Sequence, residues 1–456
     1  MDGAGFLNRA RGAGAALAVA VAALVSCAGR DAAPPAHEAA AMPEPRSALS
    51  SDWRAESDAA RKAREAGDWA AYRAHVVRLR ELLPEQPELL VRLAVAEARL
   101  GRNDAALAAL RDYVAMGLVF DLDRDPDLAV LRALPGIAPI ARRLAQNAEQ
   151  VGHVSVALRL REPDLLVEDV TVDPATRVRY LSSVRKGKIV AVDPDGTQRD
   201  FGAPFPGLSV LGLGVDGARR RLFASVAAMP QREGRANDAG AGATALVAID
   251  LDTAKVVARY ELPAGEAGEH AFADVSVAEG RGVFVADGLG GGVYELTGER
   301  LVRLDVPGTI RSPQTPALAA DGRRLYVPDY AYGLRVLERA PGGRVTSLEH
   351  PKDLAANGID GLYLAGDTLF GMQNGTKPPR VIAMRLDPSG ARIVRWSVIE
   401  ASTPTLGDPT HGVILGDELL FIANSGWDVL DDDGALRPGK AFTPAELHSA
   451  CIHCMR

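Results

Sequence analysis

Four carboxylates and a histidine recur at one point of a repeated unit. Glu168, Asp169, Asp274, Asp360 and His411 each stand at the head of an apolar, alternating run, in four of six copies of that unit. Aligning the copies on the aromatic of their second run (Tyr180, Phe223, Phe284, Tyr326, Phe370, Phe421) puts Glu168, Leu211, Ala273, Pro316, Asp360 and His411 at one level. One residue further in stand Asp169, Gly212, Asp274, Ala317, Gly361 and Gly412. First runs that surround a common axis would gather these side chains in one mouth. Carboxylates there suit a hard cation such as Ca²⁺, and the added imidazole equally admits Zn²⁺ or Mn²⁺. Asp169, Asp274 and His411 are the candidate acid–base groups. The other reading is inert: polar side chains in a water-filled channel, or bound to backbone amides between repeats.

The elements that must position these residues are short strands. From Val151 the chain alternates Val, Leu, Tyr and Phe with polar residues, punctuated by Asp-Gly, Asp-Pro and Gly-Gly turns. The six copies begin at Glu168, Leu211, Ala273, Thr315, Gly358 and Pro409, at spacings of 43, 62, 42, 43 and 51 residues. Such spacing predicts an all-β propeller of six blades over 151–436. The long interval contains an insertion at 229–244 with no core pattern. After the sixth copy one strand-like stretch remains, near Trp427–Leu430, so one strand is missing. His153–Leu160 could supply it and close the ring. Tyr330, Tyr332, Gln373, Asn374, Asn424 and Trp427 follow second strands of the later blades and are candidates for the rim.

The phrases Glu168-Asp169-Val170 with Asp173-Pro174, Asn357-Gly358-Ile359-Asp360, and Asp-Gly-x-x-Leu-Tyr/Phe-Val, complete at Asp321–Val327, resemble the six-bladed gluconolactonase, senescence-marker and NHL group. The resemblance implies a mouth Glu, an Asn and an Asp holding a metal that polarises a lactone carbonyl. Glu168 matches the Glu, and Asn357 the Asn by its local phrase. Asp360 stands at the ring position three residues later, and His411 stands where the blade-six Asp is expected. The metal ligands expected here are therefore Glu168, Asn357 and Asp360.

Between Ser51 and Gln150 apolar residues recur every three or four positions, which predicts helices. Gly67-Asp68 and Gly101-Arg102 close and open helices 34 residues apart, the length of a tetratricopeptide unit, so 51–150 reads as TPR-like helical hairpins. They serve either as a spacer or as a partner-binding surface.

The N-terminus carries Arg9 and Arg11, an uncharged run from Gly12 to Ser26, and Leu24-Val25-Ser26-Cys27. This predicts a signal peptide over 1–26 ending in a lipobox, with Cys27 lipidated. Residues 27–50, rich in Ala and Pro, read as a flexible tether. The expected location is the bacterial cell envelope, lipid-anchored and facing the periplasm from the outer membrane. A net charge of −7 with no basic cluster excludes nucleic acid as a partner. The tail, 437–456, carries Thr443-Pro444-Ala445-Glu446, a capping-box pattern that predicts a short helix, and ends with Cys451 and Cys454, free to form a disulfide or bind metal. No phosphate loop, dinucleotide glycine pattern or serine elbow occurs. Two functions remain: an envelope lipoprotein whose propeller binds a small ligand or protein partner, or a metal-dependent lactone hydrolase working at the mouth.

Overall fold

The computed structural model describes residues 49–453 apart from 124–125, 153 and 235–242. The signal segment, Cys27, the tether to residue 48, Cys454 and the middle of the 229–244 insertion lie outside the described residues.

The described residues open with helices. α1 (Leu49–Glu65) pairs with α2 (Trp69–Leu82), and α3 (Glu88–Arg99) with α4 (Asn103–Ala115). Two shorter helices, α5 (Ala129–Arg132) and α6 (Ile137–Asn147), follow. Gly67 and Gly101 end α1 and α3 at φ +71° and +74°, a left-handed backbone that a side chain resists. The Asp68 carboxylate accepts from the Ala71 amide at 3.0 Å and so caps α2. Apolar faces meet in two clusters, one around Tyr72, Val76 and Leu79, the other around Leu107, Leu110, Tyr113 and Leu131.

Beyond Val151 six antiparallel sheets form a six-bladed propeller. The inner strands are Val167–Val172, Ser209–Asp216, Phe272–Ala278, Ala317–Leu318, Ile359–Ala365 and Gly412–Leu415. The six second-strand aromatics are at most 5 % exposed, so they fill the seams between blades. That shared burial is why they align the repeats.

Blade six is built from both ends of the ring. Its strands run Gly412–Leu415, Glu418–Ile422, Glu446–Cys451 and, outermost, Ser155–Arg159. The N-terminal strand thus closes the circle, pairing Val156 with His448 and Arg159 with Glu446. Two local expectations are corrected. Trp427–Val429 is a single 3₁₀ turn, and the tail forms a strand instead of a helix. The free edge of Glu418–Ile422 needs a ladder partner, and Leu447 and Ala450 are buried by supplying it. That pairing outweighs the local capping signal. Cys451, at the end of this strand, is disulfide-bonded.

The helices sit on the end of the propeller where the inner strands begin. Tyr332, in a turn of blade four, packs against the α1–α3 cluster, and Ala355, in the connection into blade five, joins the α3–α6 cluster. Gln86 Nε2 donates to the Ala331 carbonyl at 2.9 Å, and the Val119 amide donates to the Lys377 carbonyl at 2.8 Å.

Candidate metal centre at the propeller mouth

The inner strands enter the channel through bulges. Their ladders to the second strands slip between Val167 and Val170, Val210 and Leu213, Phe272 and Asp274, and Ile359 and Leu362. A bulge adds a residue, kinks the strand and re-aims side chains. It falls in four blades on the level that carries Glu168–Asp169, Leu211–Gly212, Ala273 and Asp360. Gly361 lies so close to blade six that a Cβ would meet the Thr410 carbonyl at 2.8 Å, which is why the layer beside the acids contains glycine.

Three of the singled-out residues converge. Glu168, Asp360 and His411 each offer one ligand atom, all within 4.8 Å of one another, and all three are buried. His411 is oriented by blade one: its Nδ1 lies 2.9 Å from the Glu168 carbonyl oxygen, which can only accept, so that nitrogen carries the hydrogen. The Thr410 hydroxyl donates to the same carbonyl at 2.8 Å. Nε2 of His411 faces the acids, 3.1 Å from Asp274 Oδ1. The other Asp274 oxygen accepts from Thr315 Oγ1 at 3.4 Å. The Asp360 carboxylate accepts from Asn374 Nδ2 at 2.7 Å, and Tyr330 in turn donates to Asn374 Oδ1 at 2.8 Å. The Glu168 side chain accepts from the Trp427 indole N–H.

Two residues serve differently. Both oxygens of Asp169 accept from backbone amides, Val170 and Leu213, each at 2.7 Å, so this carboxylate braces blade one against blade two. Asn357 is buried beside the Asp360 strand. Its backbone carbonyl accepts from Gln373 Nε2 at 2.7 Å, and its side-chain oxygen has no hydrogen-bond partner among the described residues.

The charges perturb one another. Burial, then the nearby Asp360 carboxylate, pushes Glu168 up to about 8. Burial pushes Asp169 up to about 7. For His411 burial works against the charged ring, but the carboxylates of Asp274, Asp169 and Asp360 outweigh it and hold the group well above its usual value. A cluster of acids enclosed at 0–2 % exposure thus attracts positive charge at one point. The donor set, two carboxylates and an imidazole with an orphaned amide oxygen in the adjoining loop, fits a divalent cation.

A roof covers part of the mouth. Trp427 and Leu430 pack on Leu166, Leu211, Ala271 and Ala273, so two apolar ring positions lie beneath the excursion between the second and third strands of blade six. Sequence reasoning placed Trp427 on the rim but missed its bond to Glu168, which joins residues 259 apart. It also missed Thr410 and Tyr363, whose hydroxyl oxygen accepts from the Gly412 amide at 2.9 Å. Thr410 was visible only as the neighbour of His411.

No family model matches the chain, and no curated protein matches it. Solved structures do. One is a calcium-binding protein, regucalcin, from Agrobacterium tumefaciens, at 18% identity over 64% of this chain and 95% of that one, TM-score 0.43. Another is a gluconolactonase from Xanthomonas campestris, at 16% identity over 67% and 92%, TM-score 0.44. A luciferin-regenerating enzyme matches at 12% identity over 65% and 95%, TM-score 0.45. Matches this remote carry nothing about activity.

Proposed function

We propose that the propeller mouth holds a divalent cation on Glu168, Asp360 and His411, and that the protein hydrolyses small cyclic esters of lactone type there. The convergence of those three ligand atoms within 4.8 Å carries the reading. His411 would offer Nε2, because its Nδ1–H is held by the Glu168 carbonyl, the usual way a ligating imidazole is oriented. A bound cation would polarise the ester carbonyl. Asp274, beside His411 and with one oxygen held only by Thr315, is the carboxylate placed to take a proton from water. Asn357, with its side-chain oxygen unpartnered, is a further oxygen donor for cation or substrate.

A second reading, ligand or partner binding without turnover, is favoured by the Trp427 roof and by the near-complete burial of the acids. On either reading we place the protein in the cell envelope, anchored through a lipidated Cys27. The charged N-terminus, the apolar run and Leu24-Val25-Ser26-Cys27 support this. The TPR-like spacing of Gly67 and Gly101 supports a partner-binding role for the helices.

Elemental analysis and hydrolysis of a sugar-lactone panel, with and without chelator, test the hydrolase. The expected result is one divalent ion per chain and chelator-sensitive turnover, both lost in Glu168→Gln. Metal-free protein without turnover would remove it. Metal without turnover would select the binding reading.

A further inference from the structure

Away from the mouth, the seam between blades five and six holds a second set of reactive side chains. Glu400 belongs to the outer part of blade five, His448 to the third strand of blade six, and Thr405 to the loop that joins the two blades. His448 Nδ1 lies 2.9 Å and 3.0 Å from the two Glu400 oxygens, and His448 Nε2 lies 3.2 Å from Thr405 Oγ1. We propose that Thr405, His448 and Glu400 form an acyl-transfer site, with Thr405 as nucleophile, His448 as general base and Glu400 as the group that orients the base.

The proton positions follow from the partners. An ionised carboxylate can only accept, so the neutral ring carries its hydrogen on Nδ1, facing Glu400. Nε2 then presents its lone pair to the Thr405 hydroxyl. This is the arrangement in which a weak nucleophile is activated by an adjacent base that a third group orients. Exposure divides as such a site requires. Glu400 is 0 % and His448 1 % exposed, whereas Thr405 is exposed to solvent. The buried pair is held on several sides. The Thr403 hydroxyl donates to Glu400, Phe421 stands edge-on to the imidazole at 5.8 Å, and Gly152 lets the two-residue strand Val151–Gly152, paired to the outer edge of blade five, lie directly against Glu400. The nearest other acid, Glu446, has an oxygen 3.9 Å from Nε2, too far for a hydrogen bond, and its other oxygen is paired with Arg159. The loop itself is strained: Ser402, three residues before the hydroxyl, adopts φ +57° without being glycine. Strain of this kind clusters at functional sites.

The chemistry balances without a cofactor. Thr405 Oγ attacks the carbonyl carbon of an ester while its proton passes to His448 Nε2. The C–O bond to the alcohol breaks, and the departing oxygen takes that proton. Water then attacks the acyl-threonine, its proton passing through Nε2 back to Thr405 Oγ, and a carboxylic acid leaves. The substrate class is an ester accessible from solvent. This site needs no metal and does not depend on the reading of the mouth.

The test uses p-nitrophenyl acetate turnover and a fluorophosphonate probe on the full chain in detergent solution, in the presence of chelator. Wild type is expected to turn over ester with chelator present and to carry the probe on Thr405, located by peptide mass spectrometry. Thr405→Ser should keep activity, whereas Thr405→Val and His448→Gln should lose roughly 10²–10⁴-fold. Because Thr405 is exposed, Thr405→Val should melt with wild type, which separates loss of chemistry from loss of fold. Turnover in Thr405→Val within twofold of wild type, or no ester turnover and no adduct on Thr405 in wild type, overturns the proposal.

Discussion

Arg380 reaches from blade five to the end of helix α4, where its Nη1 donates to the Met116 carbonyl at 2.8 Å. The side chain is fully buried, lies over the Trp396 ring at 5.0 Å, and has no carboxylate within ion-pair distance among the described residues. Burial lowers the group to about 10, still well above neutrality. A buried cation without a counter-ion is costly. It is tolerated here because the negative end of the α4 dipole faces it and because Nε donates to Gln373 Oε1 at 2.6 Å. Gln373 holds the Asn357 carbonyl, and its neighbour Asn374 holds Asp360, so one chain of contacts runs from the helices to the mouth.

Arg380→Ala would leave the Met116 carbonyl and the Gln373 amide oxygen without this donor and open a cavity. We expect a loss of about 2–4 kcal/mol. Chemical denaturation should show it, and limited proteolysis should cut first between the helices and the propeller. Unchanged stability and protease resistance would contradict the docking role of this contact.

The same interface carries a pH-dependent pair. His350 Nε2 lies 3.2 Å from Glu85 Oε2. Burial opposes the charged ring, but Glu85 and the Pro351 carbonyl outweigh it and raise His350 above its ordinary value. A raised folded value means that the stabilisation is complete below the unfolded value of about 6.5 and is lost as pH rises through the folded one. The stability gap between wild type and His350→Gln should therefore be widest in mild acid, on the order of 1 kcal/mol, and close in alkali. A gap that widens with pH would refute the assignment.

Closure of the ring predicts unequal truncations. Removing residues 51–149 exposes the faces around Tyr332 and Ala355 but leaves all six blades complete. Removing residues through Leu160 also strips Ser155–Arg159 and bares the Glu446–Cys451 edge. The longer deletion should melt several degrees lower and aggregate. Equal melting temperatures would mean that the closing strand contributes nothing.

Lipidation of Cys27 is checked by Cys27→Ser in a bacterial host. The variant should persist as unprocessed precursor or appear as soluble protein, whereas wild type should fractionate with membranes. A variant that is processed and membrane-bound like wild type would rule out the lipid anchor.

The sequence by itself determined what depends on local pattern. Alternating apolar residues, tight turns and the buried second-strand aromatics repeat six times, so the blade count and the closing strand before Leu160 were legible. So was the meeting of Glu168, Asp360 and His411, because equivalent positions in a closed repeat must face one axis. Tertiary structure decided what depends on partners distant in the chain. Bulges at the inner-strand entrances set which oxygens enter the mouth, and they turned Asp169 to the Leu213 amide. A free ladder edge made the tail a strand, and that strand placed His448 between Glu400 and Thr405. Trp427 reached Glu168 only through the excursion that precedes it. A capping box or a lone tryptophan has the same local appearance whichever partner it finds. The choice is made by the hydrogen bonds and apolar surface that only the assembled blades offer.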